Sequence, residues 1–407
     1  MKKSLLKNYA NLIAKMGVNV QKGQDVYVVA NLDQPEFVAM VVEALYKLGA
    51  NKVYVDWGYE PLGKIHVKYQ SAETLGKVDR LALEKIKWRS EELPAHLYIV
   101  SDDPDSMKGV DMDKYVKAQR SKMKVIKPYR DSMENKYQWC IAAVPGKKWA
   151  KKVFPELPVS KAVEKLWESI LAASRAMEDP IEAWNLHNSN IKEKCGILNK
   201  LQLVKLHYTS DNGTDLTVGL NELGKFNGGY DTTLSGVSFN PNIPSEEVFT
   251  SPKAGVAEGI VYSTKPLSYN GQLIEDFFMR FENGRVVEVG AKKNKDLLEK
   301  MVSTDNGAAM LGECAFVPYD SPINNTGILF YETLFDENAS CHLAVGRGFP
   351  DCLKGFENMT IEEQHAAGIN DSAIHVDFMI GTNDLKVVGT DIHGKEIVIF
   401  KDGSWNF

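Results

Sequence analysis

Cysteine is scarce in this sequence and does not come in pairs. The five residues, Cys140, Cys195, Cys314, Cys341 and Cys352, are scattered over 407 positions with no C-x-x-C spacing. That excludes a disulfide scaffold and a thiolate zinc site, and it reads as a reduced, cytoplasmic chain. No stretch approaches the roughly 20 consecutive apolar residues that a membrane helix requires, so no membrane partner is expected. Positive charge is not in excess either. Lys and Arg number 48 against 54 Asp and Glu, a formal charge of −6, which gives nucleic acid and anionic surfaces no electrostatic hold. Neither G-x-G-x-x-G nor a G-x-x-x-x-G-K-S/T loop occurs, so nothing supports a nucleotide. The first residues lack a continuous apolar core: Lys7, Asn8, Asn11 and Lys15 interrupt them at helical spacing, which predicts an amphipathic helix rather than a signal peptide. There is no internal repeat.

What is present is ordinary globular composition, 44% hydrophobic, 25% charged and 10% aromatic. At roughly 150 residues per domain the length predicts two or three domains. In the first part, strand-like runs at 25–30, 52–56, 96–101 and 139–144 alternate with helical patterns at 35–48, 71–93 and 112–126. That order predicts an α/β layer with a mostly parallel sheet. The helical pattern at 160–201 breaks at Asp179-Pro180, a helix start. A boundary there gives an N-terminal α/β domain over 1–178 and a C-terminal domain over 179–407. The latter reads as strand-rich α+β, with strands at 203–208, 215–220, 275–282 and 285–290. Asn283-Gly284 marks a two-residue hairpin, and 384–389 with 396–400 forms another.

Chemistry concentrates in the second part. In SAIHVDFMIG (372–381) strand alternation puts His375 and Asp377 on one face, about 6.5–7 Å apart along the strand. They suit one ion or two adjacent ions, or else a solvated face or a plain His–Asp hydrogen bond. His342 sits in a β-like HLAV run, as a ligand or as a hydrogen-bonded core histidine; Glu337 precedes it in a polar turn. Glu313 is a lone carboxylate in an apolar run, to be paired with a cation of one kind or another. Glu246 and Glu247 stand in NIPSEEVFTSP (242–252), where at most one faces a site if the segment is extended, unless Ser245 opens a helix. Oxygen-rich ligation with imidazole suits Mg, Mn, Co or Zn, and bridging carboxylates hold paired divalent cations.

Taken in series, these segments resemble the aminopeptidase T family of thermophilic-type metallo-aminopeptidases, over nearly the whole length. The run from Gly23 to Trp57 is similar to the family's N-terminal βαβ. NIPSEEVFTSP, GECAFVPYDSPI, FDENASCHLAVG and GINDSAIHVDFMIG are similar to its four site-bearing motifs. The resemblance implies a two-domain, elongated homodimer, with its metal site in the C-terminal domain, that removes N-terminal residues from peptide substrates by way of water activated at two divalent cations (Zn, Co, Mn or Mg). It places the metal ligands at Glu247, Glu313, Glu337, His342, His375 and Asp377, with Glu313 bridging. Glu247 and Glu313 are the candidates for moving the proton. Where the family usually has a catalytic-centre tyrosine, seven residues after the HLA histidine, this chain has Phe349. That departure implies slower turnover, another hydroxyl donor or different substrates. The remaining alternatives are a dinuclear hydrolase of another bond and a degenerate metal- or peptide-binding protein. Cys314 and Cys341 adjoin proposed ligands and, by strand alternation, should point away from the site.

Overall fold

The computed structural model describes residues 1–407 as two compact units. The first comprises Met1–Asn185, Tyr230–Pro244 and Asn270–Gln272; the second comprises Leu186–Gly229, Ser245–Tyr269 and Leu273–Phe407. The division thus falls inside the helix Pro180–Leu201, later than the helix start at which the sequence suggests a boundary. Its first turn is tied to the first unit, where the buried Trp184 indole donates to the Ser174 carbonyl at 2.8 Å. By the next turn His187 bonds within the second unit. The return of 230–244 and 270–272 to the first unit leaves no mark in composition.

In the first unit four strands pair in parallel: β1 (Val26–Asn31), β2 (Val53–Gly58), β3 (Ala95–Val100) and β4 (Trp139–Ala143). Their order is β4-β3-β1-β2, with Asn242–Ile243 added beside β4. Val26, Val28, Leu97 and Ile99 are buried on one face and Tyr27 and His96 on the other, so both faces of the sheet are covered as a parallel sheet requires. Tyr9, Phe37 and Trp167 close one side, with ring centroids 5.2–6.5 Å apart. The stretch 71–93, read as one helix, is two: Ala72–Gly76 and Arg80–Glu92. The break is chemical, because the Asp79 side chain accepts from the Ala82 N–H and caps a fresh start. The helix after β3 runs on to Met133, past Pro128.

The second unit layers two antiparallel sheets. The larger has nine strands, including Leu203–Thr209, Asp215–Leu220, Pro252–Tyr262 and Gln272–Glu282. Gln272–Glu282 turns into Arg285–Lys293 through Asn283 and Gly284, both at positive φ (49° and 73°), the backbone a two-residue hairpin demands. The smaller sheet carries the candidate site. Its order is His375–Met379, His342–Gly346, Leu311–Phe316, Val248–Thr250 and Asn227–Gly228. One face supplies the core through Cys314, Phe316, Cys341, Leu343, Val345, Val376 and Phe378. Phe316 stacks 6.3 Å from Tyr208, and Phe378 lies 5.8 Å from Phe277. Cys314 and Cys341 therefore face the core, opposite their neighbours Glu313 and His342.

Candidate metal centre

The other face of the smaller sheet gathers the polar groups. In the central strand His342, Ala344 and Gly346 occupy it by alternation. Across the ladder Ala344 pairs with Glu313 on one side and Asp377 on the other, while Gly346 pairs with His375. Paired residues share a face, so the row Glu313–Ala344–Asp377 sets two carboxylates either side of a methyl group. Glu313 reaches this face through a bulge. Leu311 pairs with Val345 but Glu313 with Ala344, so Gly312 is the extra residue. The bulge lets Leu311 stay in the core while Glu313 faces the site, re-aiming a side chain as bulges do. A Cβ on Gly312 would run into the Arg347 and Gly346 carbonyls, so the close crossing needs glycine there.

The side chains form two triads that share one member. Glu247, Glu313 and His342 make the first; Glu313, His375 and Asp377 make the second, with the potential ligand atoms in each within 4.8 Å of one another. His342 Nε2 is 3.1 Å from Glu247 Oε2. His375 Nε2 is 3.1 Å from Glu313 Oε2 and 3.2 Å from Asp377 Oδ1. Each imidazole is oriented from behind. His375 Nδ1–H donates to the Arg347 carbonyl at 2.7 Å, and His342 Nδ1 faces the Ser340 carbonyl at 3.4 Å. That leaves both Nε2 atoms toward the carboxylates, the usual support of a metal-ligating histidine.

The electrostatics are those of a site short of positive charge. Burial, with Glu247 and Asp377 nearby, pushes the Glu313 carboxyl up to about 7 against the pull of His375. Burial, then Asp377, Glu247 and Glu313, raises Glu337 well above the carboxylate range. Burial alone would depress His342, but Glu247, Glu313 and Asp377 outweigh it and lift the imidazolium to about 9. His375 is raised well above its ordinary value, since Asp377 and Glu313 overcome the same burial. Asp377 would rise by burial, yet His375 and His342 hold it below its usual value. Four acidic groups face two imidazoles, and without another cation the excess is relieved by the upward shifts of Glu313 and Glu337 toward their neutral forms. Asp377 Oδ1 is buried and makes no well-aligned hydrogen bond, its one charged neighbour being His375 Nε2 at 3.2 Å, which leaves acceptor capacity of the kind a bound cation satisfies. Carboxylate oxygens and imidazole nitrogens, with no thiolate, fit a hard or borderline divalent ion.

Other expected residues lie near by. Glu337 is buried in the turn Glu337–Ala339, outside both triads, with Oε1 accepting from Asn338 Nδ2 at 3.3 Å. Glu246 does not enter the site. It turns toward His187, 4.0 Å from Nε2, and residues 245–247 form no helix. The Phe349 ring packs 4.7 Å from the His375 ring and 5.6 Å from Phe249. Its N–H donates to Ser251 Oγ at 2.7 Å. Asn338, Ser251, His187 and the Gly312 bulge are not among the residues that the sequence marks as functional. None of them has a periodicity or charge that marks it; each acts through a partner distant in the chain.

The family model for thermophilic metalloproteases (M29) matches residues 2–405. Aminopeptidase AmpS of Bacillus subtilis is 40% identical over 404 residues, covering 99% of this chain and 98% of that protein. Aminopeptidase T of Thermus thermophilus is 38% identical over 402 residues, covering 98% of each. The solved structure of wild-type AmpT from Thermus thermophilus superposes with a TM-score of 0.90 at 36% identity, covering 100% of both chains.

Proposed function

The chain belongs to the thermophilic metalloprotease (M29) family and is a metallo-aminopeptidase; from that premise we propose that its two triads hold two divalent cations, with Glu313 bridging them. Glu247 and His342 would complete one ion's ligands, and His375 and Asp377 the other's. Glu337 would offer its second oxygen to the pair. Bound there, such cations supply a water acidified toward a pKa of about 7 and a polarised scissile carbonyl. Zn, Co, Mn and Mg all suit the donor set.

The protein's own groups do the rest. Glu313, committed to both ions, has no oxygen left for a proton. Glu247 belongs to one triad only, so its remaining oxygen is the better placed to take the proton of the attacking water and return it to the leaving amine. Phe349 supplies no hydroxyl beside His375. If a donor at that position steadies the tetrahedral oxyanion, its absence costs turnover up to about 10²–10³-fold, as loss of one oxyanion donor does elsewhere. The Ala344 methyl and the bare Gly346 backbone leave the middle of this face open for the ions.

Peptides are the substrates that follow from this family. The reading extends to a cytoplasmic homodimer. Five free, buried cysteines are in keeping with a reducing compartment, and light scattering of the purified protein tests the assembly. One observation carries the dinuclear reading: Glu313 is common to both groups of candidate ligands. Crystals soaked in Mn²⁺ or Zn²⁺ should show two anomalous peaks about 3.5–4 Å apart, flanking Glu313. A single peak, or peaks away from this face, overturns it.

A further inference from the structure

We infer that Asn338, assisted by His187, is the positioning residue that aims Glu247 at the ion it shares with His342. The inference rests on the dinuclear reading above and goes beyond it. It concerns what holds one ligand in place. Glu313, His342, His375 and Asp377 all ride on strands whose ladder fixes their direction. Glu247 does not. Residues 245–247 belong to no helix or strand, and the pairing of that segment with the Glu313 strand begins only at Val248, opposite Phe316. A ligand on irregular backbone needs another anchor, because a loosely held side chain loses both affinity and geometry.

Asn338 provides it. The residue is fully buried and its amide is used at both ends. Oδ1 accepts the Glu246 N–H at 2.7 Å. Nδ2 donates to the Leu334 carbonyl at 3.0 Å and to Glu337 Oε1 at 3.3 Å. It thus ties the backbone beside Glu247 to the turn that carries Glu337 and leads into the His342 strand. Of the three segments that supply the first triad, the one carrying Glu247 and the one leading into His342 are joined through this amide. From the opposite side, on the helix Pro180–Leu201, His187 Nε2–H donates to the Ser245 carbonyl at 2.6 Å. An amide suits the place where a carboxylate would not. It supplies acceptor and donors together, and adds no charge beside Glu247, Glu313 and Glu337.

The experiment is a titration of the full-length, ion-stripped protein with Mn²⁺ by calorimetry, for wild type, Asn338→Ala, His187→Leu and His187→Gln. Folding is checked by circular dichroism and thermal unfolding in EDTA. Wild type should take up two ions. Folded Asn338→Ala should bind one as wild type does and the other about 10–100-fold more weakly, the usual effect of losing support behind a ligand. Turnover should return as Mn²⁺ is raised, which a general packing defect would not allow. His187→Leu should weaken the same ion, and His187→Gln, which keeps an N–H donor, should recover part of the loss. If Asn338→Ala does not fold, the His187 pair decides. Two wild-type affinities in the folded variants, or equal weakening of both ions, overturns the positioning role. Fewer than two ions on wild type instead overturns the dinuclear reading itself.

Discussion

Glu313 Oε2 lies 3.1 Å from His375 Nε2, and the same carboxyl group closes the triad with Glu247 and His342. A single side chain is therefore common to two groups of candidate ligands, with Glu247 reaching it from one side of its strand and His342, His375 and Asp377 from the other. Only a bulge makes this possible. With regular alternation Leu311 and Glu313 would share a face, and the leucine would stand among the carboxylates.

The first prediction concerns that shared group. Glu313→Gln should lose both ions, with activity falling more than about 100-fold, since removal of mere outer supports already costs 10–100-fold. The ion-free fold should survive, because the change removes a buried charge that repels its neighbours. Metal content by mass spectrometry and unfolding in EDTA check both halves. Retention of two ions by the variant would sink the bridging role.

The outer members of the triads should be separable. His342→Ala is expected to cost one ion and Asp377→Asn the other, each lowering uptake from two per chain to one. Anomalous maps of the two variants should then lack opposite peaks. Loss of the same peak in both would contradict the division.

The ion-free protein should weaken as the solution becomes alkaline. Glu313 is raised from 4.5 to about 7, so its contribution is present below 4.5 and lost as pH passes 7. His342 is raised from 6.5 to about 9, so its contribution is present below 6.5 and lost through 9. Asp377, held low, acts the other way only at the acid end. Stability in EDTA should thus fall from about pH 5 to pH 9 by roughly 2 kcal/mol or more, read as denaturant midpoints. Saturating Mn²⁺ should reverse the trend, since cations displace these protons. A flat or rising profile in EDTA would contradict it.

Phe349→Tyr places a hydroxyl against His375. Turnover should rise, up to about 10²-fold, with KM and ion affinity little changed. An aminoacyl-anilide assay after metal loading reads all three. Equal turnover in both proteins would show that the hydroxyl is not needed here.

Ala344→Leu should fill the floor between Glu313 and Asp377. Overpacking of this kind costs about 1–3 kcal/mol, and ion uptake should fail in protein that still folds. Unaltered uptake would mean that the ions do not lie above that methyl group.

Much of the scaffold was legible in the residues. Val26, Val28, Leu97 and Ile99 announce buried strands, Asn283-Gly284 a hairpin, and the period of two sets His375 and Asp377 together while turning Cys314 and Cys341 away. Glu313 was legible as an anomaly, a carboxylate in an apolar run. What joins these pieces was not. The Gly312 bulge exists only relative to the facing strand, and Asn338 matters only because the Glu246 N–H has no ladder partner. Convergence of four distant segments was readable through resemblance, not through spacing. The Asp79 cap was a local cue within 71–93 that reading a single continuous helix passed over.

The sheet order also dictates when such a centre can mature. The strand bearing His375 and Asp377 is joined along one edge to the His342 strand, and it is encoded near the end of the chain. During synthesis the four parallel strands of the first unit can pair early, and Asn242–Ile243 joins them later. Glu247, Glu313 and His342 then leave the ribosome well ahead of the residues that complete the second triad. If the two triads hold a pair of ions, loading of the full pair belongs among the last events of biogenesis, and a message truncated before codon 375 yields a polypeptide that lacks His375 and Asp377 and cannot complete the second triad.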